Sequence, residues 1–169
     1  MLYTRRCSSR TGTARARRGL LNVLVLITCL CLPTKGLAET LLRAPTVQTD
    51  IGIWYTPDAP NQTHLWKPGD PGEPLVLHGR LIDRHGRPIK DAMVEMWHAD
   101  SEGFIEMGDF RTTLRTAHNG SFRVVTVLPG YYYGPMHIHF KVTHPWYATL
   151  ITRIFFRRDP KSANTPYRA

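Results

Sequence analysis

The sequence predicts an all-β protein, an antiparallel β-sandwich, on three observations. Thirteen Gly and thirteen Pro among 169 residues break the chain too often for a helical bundle and supply turns instead. Short apolar or alternating runs recur between those turns, and no ten-residue window carries convincing helical periodicity. A hydrophobic content of 42% with four Trp can fill a core, and the length suits one domain of ordinary size.

Taken in order, residues 1–38 read as a secretory signal peptide. A basic stretch precedes a mostly apolar run at 20–32, followed by Pro33 and the small-x-small site Gly36-Leu37-Ala38, so cleavage is expected after Ala38. The run is shorter than the about 20 residues a membrane span needs. Arg17-Arg18 also resembles a twin-arginine export signal. The expected location is exported, periplasmic or secreted. Cys7, Cys29 and Cys31 all fall in this segment, so the processed chain would hold no disulfide and no thiolate ligand.

Residues 39–72 are expected to be irregular, broken by Pro45, Pro57, Pro60, Pro68 and Pro71. The sandwich is placed at 73–160 and a tail at 161–169. Residues 75–83 and 92–97 read as strands separated by the turn at 84–88, and a polar loop follows at 100–103. Residues 113–116 are expected to pair with 121–127 across His118-Asn119-Gly120, and 138–143 and 149–156 complete the set.

Charge narrows the function. There are 22 Lys and Arg against 13 Asp and Glu, a net charge of +9, but seven of the bases and no acid lie in residues 1–38. The remainder is close to neutral and offers no phosphate-binding surface, so no nucleic-acid partner is expected. Membrane contact is expected only through the export signal, and the sequence leaves the oligomeric state open.

The chemistry concentrates in Pro129-Gly130-Tyr131-Tyr132-Tyr133-Gly134-Pro135-Met136-His137-Ile138-His139-Phe140. Histidines at i and i+2 of a strand project from one face and can converge on one ion, while Ile138 and Phe140 face the other way. Such a pair also occurs as half-buried surface. Neutral imidazole suits iron, zinc, copper or nickel, and an anionic phenolate from the tyrosines just upstream favours ferric iron. Asp100 and Glu102 read as a solvated acidic loop.

Along most of its length beyond residue 38 the sequence resembles the intradiol ring-cleavage dioxygenases, the protocatechuate- and catechol-cleaving family. The blocks that carry the likeness are Trp54-Tyr55-Thr56-Pro57, Gly79-Arg80-Leu81-Ile82-Asp83 and Gly86-Arg87-Pro88-Ile89. They continue with Ala92-Met93-Val94-Glu95-Met96-Trp97-His98-Ala99-Asp100, Asn119-Gly120-Ser121-Phe122, Pro129-Gly130-Tyr131-Tyr132 and His137-Ile138-His139-Phe140. Leu150-Ile151-Thr152-Arg153-Ile154-Phe155-Phe156 closes the series.

The resemblance implies a β-sandwich of the transthyretin (prealbumin) type holding non-haem Fe(III) on two tyrosines and two histidines, with a catechol-type aromatic and O2 as substrates. His137 and His139 match the histidine ligands and Tyr132 one tyrosine, with Tyr131 and Tyr133 close enough to compete. The second tyrosine position falls on Ile105, the family arginine three residues before the first histidine on Gly134, and the family glutamine on Arg153. Arg153 is therefore the candidate catalytic cation. The expected function is exported intradiol ring cleavage. The alternatives are a catalytically degenerate metal- or aromatic-binding sandwich and a transthyretin-like interaction domain.

Overall fold

The computed structural model describes residues 42–105, 109–157 and 159–164. The leader expected at 1–38 and its cleavage site therefore lie outside the described residues, as does most of the tail. Among the described residues six strands form: β1 (Pro74–Arg80), β2 (Met93–Trp97), β3 (Arg111–Arg115), β4 (Ser121–Val127), β5 (His137–His144) and β6 (Tyr147–Phe155). A single 3-10 turn at Pro160–Asn164 is the helical content among the described residues, and none of their helices is long and apolar enough to cross a membrane.

The strands make two antiparallel sheets. β1 pairs with β4, and the other four run in the order β3-β2-β5-β6. The expected antiparallel β-sandwich is what forms. Alternation supplies the core: Val94 and Met96 of β2, Leu114 of β3, and Ile138 and Phe140 of β5 meet Leu77 of β1 and Val124 of β4. The opposite face of the larger sheet carries Glu95, Trp97, His137, His139, Lys141 and Arg153, in register across β2, β5 and β6.

That second face is not left to water. The irregular segment around residues 47–56 lies over it, tied down by Thr49 N–H to the Ile151 carbonyl at 2.8 Å and by Thr152 Oγ1 to the Val47 carbonyl at 2.9 Å. Tyr55 packs its ring 5.1 Å from that of Trp97 and donates to Glu95 Oε1 at 2.7 Å. Lys141 closes the group, 2.8 Å from Glu95 and 2.6 Å from the Tyr55 hydroxyl. A buried carboxylate is tolerable only with such partners.

One expected pairing is corrected. Residues 113–116 do not pair with 121–127: β3 hydrogen-bonds to β2, and β4 to β1. The Asn119-Gly120 turn exists, closed by Gly120 N–H to the Ala117 carbonyl at 2.8 Å, yet it carries the chain between sheets. The reason lies at Thr116. Its N–H bonds the Ala92 carbonyl and its hydroxyl the Ile89 carbonyl, which locks the end of β3 onto the entry to β2 before the turn begins. The first strand is also shorter than expected. It stops at Arg80, and residues 81–89 fold into a small loop of their own, with Leu81 N–H bonded to Gly120 and Asp83 N–H to Arg87.

Candidate metal centre

The start of β5 sets the site. With Ile138 fully buried in the core, His137 and His139 must emerge together on the other face, and their rings meet with Nε2 atoms 3.1 Å apart. His137 Nδ1 lies 2.7 Å from the Pro135 carbonyl, so it carries the proton and leaves Nε2 as a lone pair. Arg153, directly opposite His139 on β6, donates its Nε–H to His139 Nδ1 at 3.3 Å. His139 accordingly holds its proton on Nε2 and donates it to His137. Trp97 stacks flat on the His139 ring, 4.9 Å away and 9° from parallel, and fixes the plane.

Both imidazoles are kept neutral. Burial pulls His139 down to about 3, assisted by the His137 and Arg153 charges. Burial also lowers His137, partly offset by its bond to Pro135.

The third member comes from the loop before β5. Two glycines let that loop touch the one after β2: a Cβ on Gly130 would sit 2.4 Å from Gly103 N, and one on Gly103 would sit 2.2 Å from the Tyr131 carbonyl oxygen. Gly130 N–H donates to the Asp100 carbonyl at 2.7 Å across this contact. Asp100 Oδ1 in turn accepts from Glu102 N–H and Phe104 N–H, which shapes the loop. Asp100 is thus a loop-former rather than a ligand.

The result is a tightly closed pocket, walled by His137, His139, Tyr132 and Ile105 over His98, Ala99 and Gly130. The Tyr132 hydroxyl is cut off from solvent, and its one side-chain interaction, with Trp54, falls short of good hydrogen-bond geometry. Burial and the Tyr133 phenol raise its pKa above the ordinary value, against a smaller lowering from Trp54. A solvent-shielded hydroxyl without a well-formed hydrogen bond is costly, so such a group points to a ligand. Among the described residues no set of three His, Cys, Asp or Glu converges. An ion here would rest on two imidazoles and a phenolic oxygen, a set that fits a hard, trivalent metal.

Of the tyrosines that compete by sequence, Tyr132 is the one that walls the cavity. Tyr133 is 92% exposed and Tyr131 lies under the Lys161 ammonium, 4.0 Å from its ring centroid. Ile105 lines the cavity with an apolar side chain. Gly134 has open space where a side chain would go. Arg153 is placed behind His139 and paired with Asp50, not in the cavity wall.

Several contributors escaped the sequence reading. His98 is buried beneath the site, with Nδ1 2.6 Å from the Ala99 carbonyl and Nε2 2.7 Å from Thr126 Oγ1. Asp159 is buried and accepts Met136 N–H at 2.8 Å, which anchors the residue just before His137. Tyr55 and Trp97 brace His139 from its outer side. Only Trp97-His98 and Tyr55 stood within quoted motifs, and nothing in the sequence marked Asp159.

A protein-family model described as Dioxygenase matches residues 52–134. Catechol 1,2-dioxygenase of Acinetobacter baylyi is 31% identical over 147 residues, covering 68% of this chain and 47% of that protein. A 6-chlorohydroxyquinol 1,2-dioxygenase of Cupriavidus pinatubonensis is 29% identical over 142 residues, covering 68% and 51%. The chain spans about half the length of these curated relatives. Among solved structures, the dioxygenase domain of a dioxygenase and carbohydrate-binding protein fusion from Streptomyces sp. SirexAA-E superposes with a TM-score of 0.67 at 33% identity. That match covers 70% of this chain and 79% of the other.

Proposed function

The chain belongs to the intradiol ring-cleavage dioxygenase family, and on that footing we propose that it opens a catechol-type aromatic ring with O2 at a non-haem ferric centre held by Tyr132, His137 and His139. The observation that carries this reading is the placing of the solvent-shielded Tyr132 hydroxyl at the same pocket as the two converging imidazoles. A ferric ion bound there would supply the Lewis acidity and the electron relay that make an aromatic diol reactive toward O2.

The chain's own groups do the rest. His137 is already in the ligating tautomer. His139 Nε2–H bonds His137 Nε2 where both lone pairs must face an ion, so loading requires the loss or transfer of that proton. Trp97 and the Tyr55–Glu95–Lys141 group hold the His139 ring plane while this happens. Trp54, 6.2 Å from the Tyr132 ring and partly exposed, gives an aromatic diol apolar surface to lie against.

A purified chain loaded with ferric iron should be coloured by phenolate-to-iron charge transfer and should consume O2 with catechol or protocatechuate. Tyr132→Phe should bleach the colour. A colourless chain holding stoichiometric zinc would sink the proposal.

Ile105 favours a second reading, a catalytically degenerate relative that keeps the metal. Its side chain cannot ligate or accept a proton, and it lines the cavity at the position where the family resemblance expects a second tyrosine. A coloured chain that binds catechols without O2 uptake would select it.

Export belongs to the proposal as well, supported by the apolar run and Gly36-Leu37-Ala38. Exported protein should begin at Glu39 on N-terminal sequencing, and a retained leader would refute this.

A further inference from the structure

A second cavity among the described residues lies away from the histidines. It lies toward the other ends of β5 and β6, about 600 Å³ in volume, where Leu81, Ile89, Val142 and Leu150 form an apolar floor. That size is in the usual range for pockets that hold small organic ligands, roughly 300–1,000 Å³. The strap at residues 43–48 walls one side, tied to the loop after β1 by Arg43 N–H to the Arg84 carbonyl at 3.0 Å.

The charges around it do not balance. Arg43, Arg80, Arg84 and Arg87 all line the cavity, and Asp83 is its one acid. Asp83 is already committed: its carboxylate takes Arg87 Nε at 2.6 Å, Arg87 N–H at 2.9 Å and His85 N–H at 2.8 Å. Arg80 spends its Nε on the Asn119 carbonyl at 2.9 Å, which leaves its charge uncompensated. Arg43 and Arg84 have no side-chain partner among the described residues. Three arginines thus line the rim of one apolar cavity without a carboxylate partner among the described residues. His85 and His144 on its wall are further nitrogen donors.

We propose that this cavity is a second binding site, separate from the candidate metal centre, for an aryl carboxylate. The carboxylate would meet Arg43 and Arg84, whose planar forks match it in bidentate fashion. The ring would cover Leu81, Ile89, Val142 and Leu150. An inorganic anion would satisfy the arginines but leave the apolar floor wet, and a neutral arene would do the reverse.

The test uses 2-naphthoate and the neutral 2-naphthamide as probes with the full chain, by calorimetry and ligand-observed NMR. Naphthoate should bind at least about tenfold more tightly than the amide, and Arg43→Ala/Arg84→Ala should remove that preference. Ala148→Trp, at an exposed position on the cavity wall, should also block binding. His137→Ala should not change it, which separates this site from the metal centre. Equal binding of the amide, loss of binding in His137→Ala, or no effect of the arginine pair would overturn the proposal. Displacement by inorganic phosphate at equal concentration would overturn the aryl carboxylate assignment.

Discussion

At the scale of single residues, two of the three positions that depart from the family pattern, Ile105 and Arg153, flank one imidazole pair. Ile105 stands in the cavity wall, so Ile105→Tyr should deliver a second phenol to an ion held by Tyr132, His137 and His139. The expected result is tighter ferric binding, a shifted visible band, and O2 uptake with catechol raised above the unaltered chain. An unchanged spectrum and affinity would show that the tyrosine does not reach the ion. Arg153 acts on the other side of His139. Its Nε–H donates to Nδ1, which forces the proton onto Nε2, the atom that must bind metal. Glutamine, the family residue here, offers a carbonyl that can accept from Nδ1–H instead. Arg153→Gln should therefore raise iron affinity, by roughly tenfold or more on the scale of outer-sphere effects, and an equilibrium iron competition would measure it. The histidine pair was legible in the sequence because a strand's period of two fixes which side chains share a face. The Arg153 contact was not, since it depends on the β5–β6 register and on the rotamer that Asp50 selects.

Individual elements show where alternation and turn chemistry stop being sufficient. The positions of β1, β2, β5 and β6 follow from apolar runs and the turns between them, so they could be read directly. The partner of β3 could not. Asn119-Gly120 is a good hairpin signal, but Thr116 had already bound its backbone and hydroxyl to the start of β2, a contact 24 residues back in sequence. A local motif lost to a long-range one. The β1–β4 pair carries a different long-range constraint: Gly79 faces Phe122 across the ladder, and the phenyl ring lies over the glycine. A Cβ at residue 79 would fall 2.1 Å from the ring. Gly79→Ala should then destabilise the fold by about 1–3 kcal/mol, the range of overpacked sites, although alanine normally favours strand over glycine. Gly79→Ala combined with Phe122→Leu should recover part of the loss. Denaturant midpoints would measure both, and a neutral single substitution would mean that the ring is not held there.

For the molecule as a whole, the consequence of burying histidines is a stability that depends on pH. Burial holds His98 at about 4, well below its ordinary 6.5, with a smaller opposing effect from the bond to Ala99. His139 is held at about 3 and His137 is lowered. In the unfolded chain all three return toward 6.5, so between that value and the folded values the unfolded state binds more protons. Stability is then complete above about pH 6.5 and is lost as the pH falls toward 4. His98 alone would account for roughly 3 kcal/mol of this, since each tenfold change in proton affinity is worth about 1.4 kcal/mol. That is a large share of the 5–15 kcal/mol typical of a domain. Burial raises Asp83, but its bonds from Arg87 and His85 outweigh this and hold it below 3.8, so its contribution is lost only at still more acid pH. The window between pH 6.5 and 4 is the one in which the buried histidines lose stability. In metal-free protein the urea midpoint should fall steeply across it. His98→Gln, which can still donate to the Ala99 carbonyl and accept from Thr126, should flatten that fall while leaving β2 in place. Ferric loading should raise stability most near neutral pH, where His137 and His139 are free of added protons, and least at pH 4. A midpoint that stays level from pH 7 to 4.5 in the unaltered chain would mean that the three rings are solvated rather than buried, and the cavity beneath the candidate metal centre would have to be redrawn.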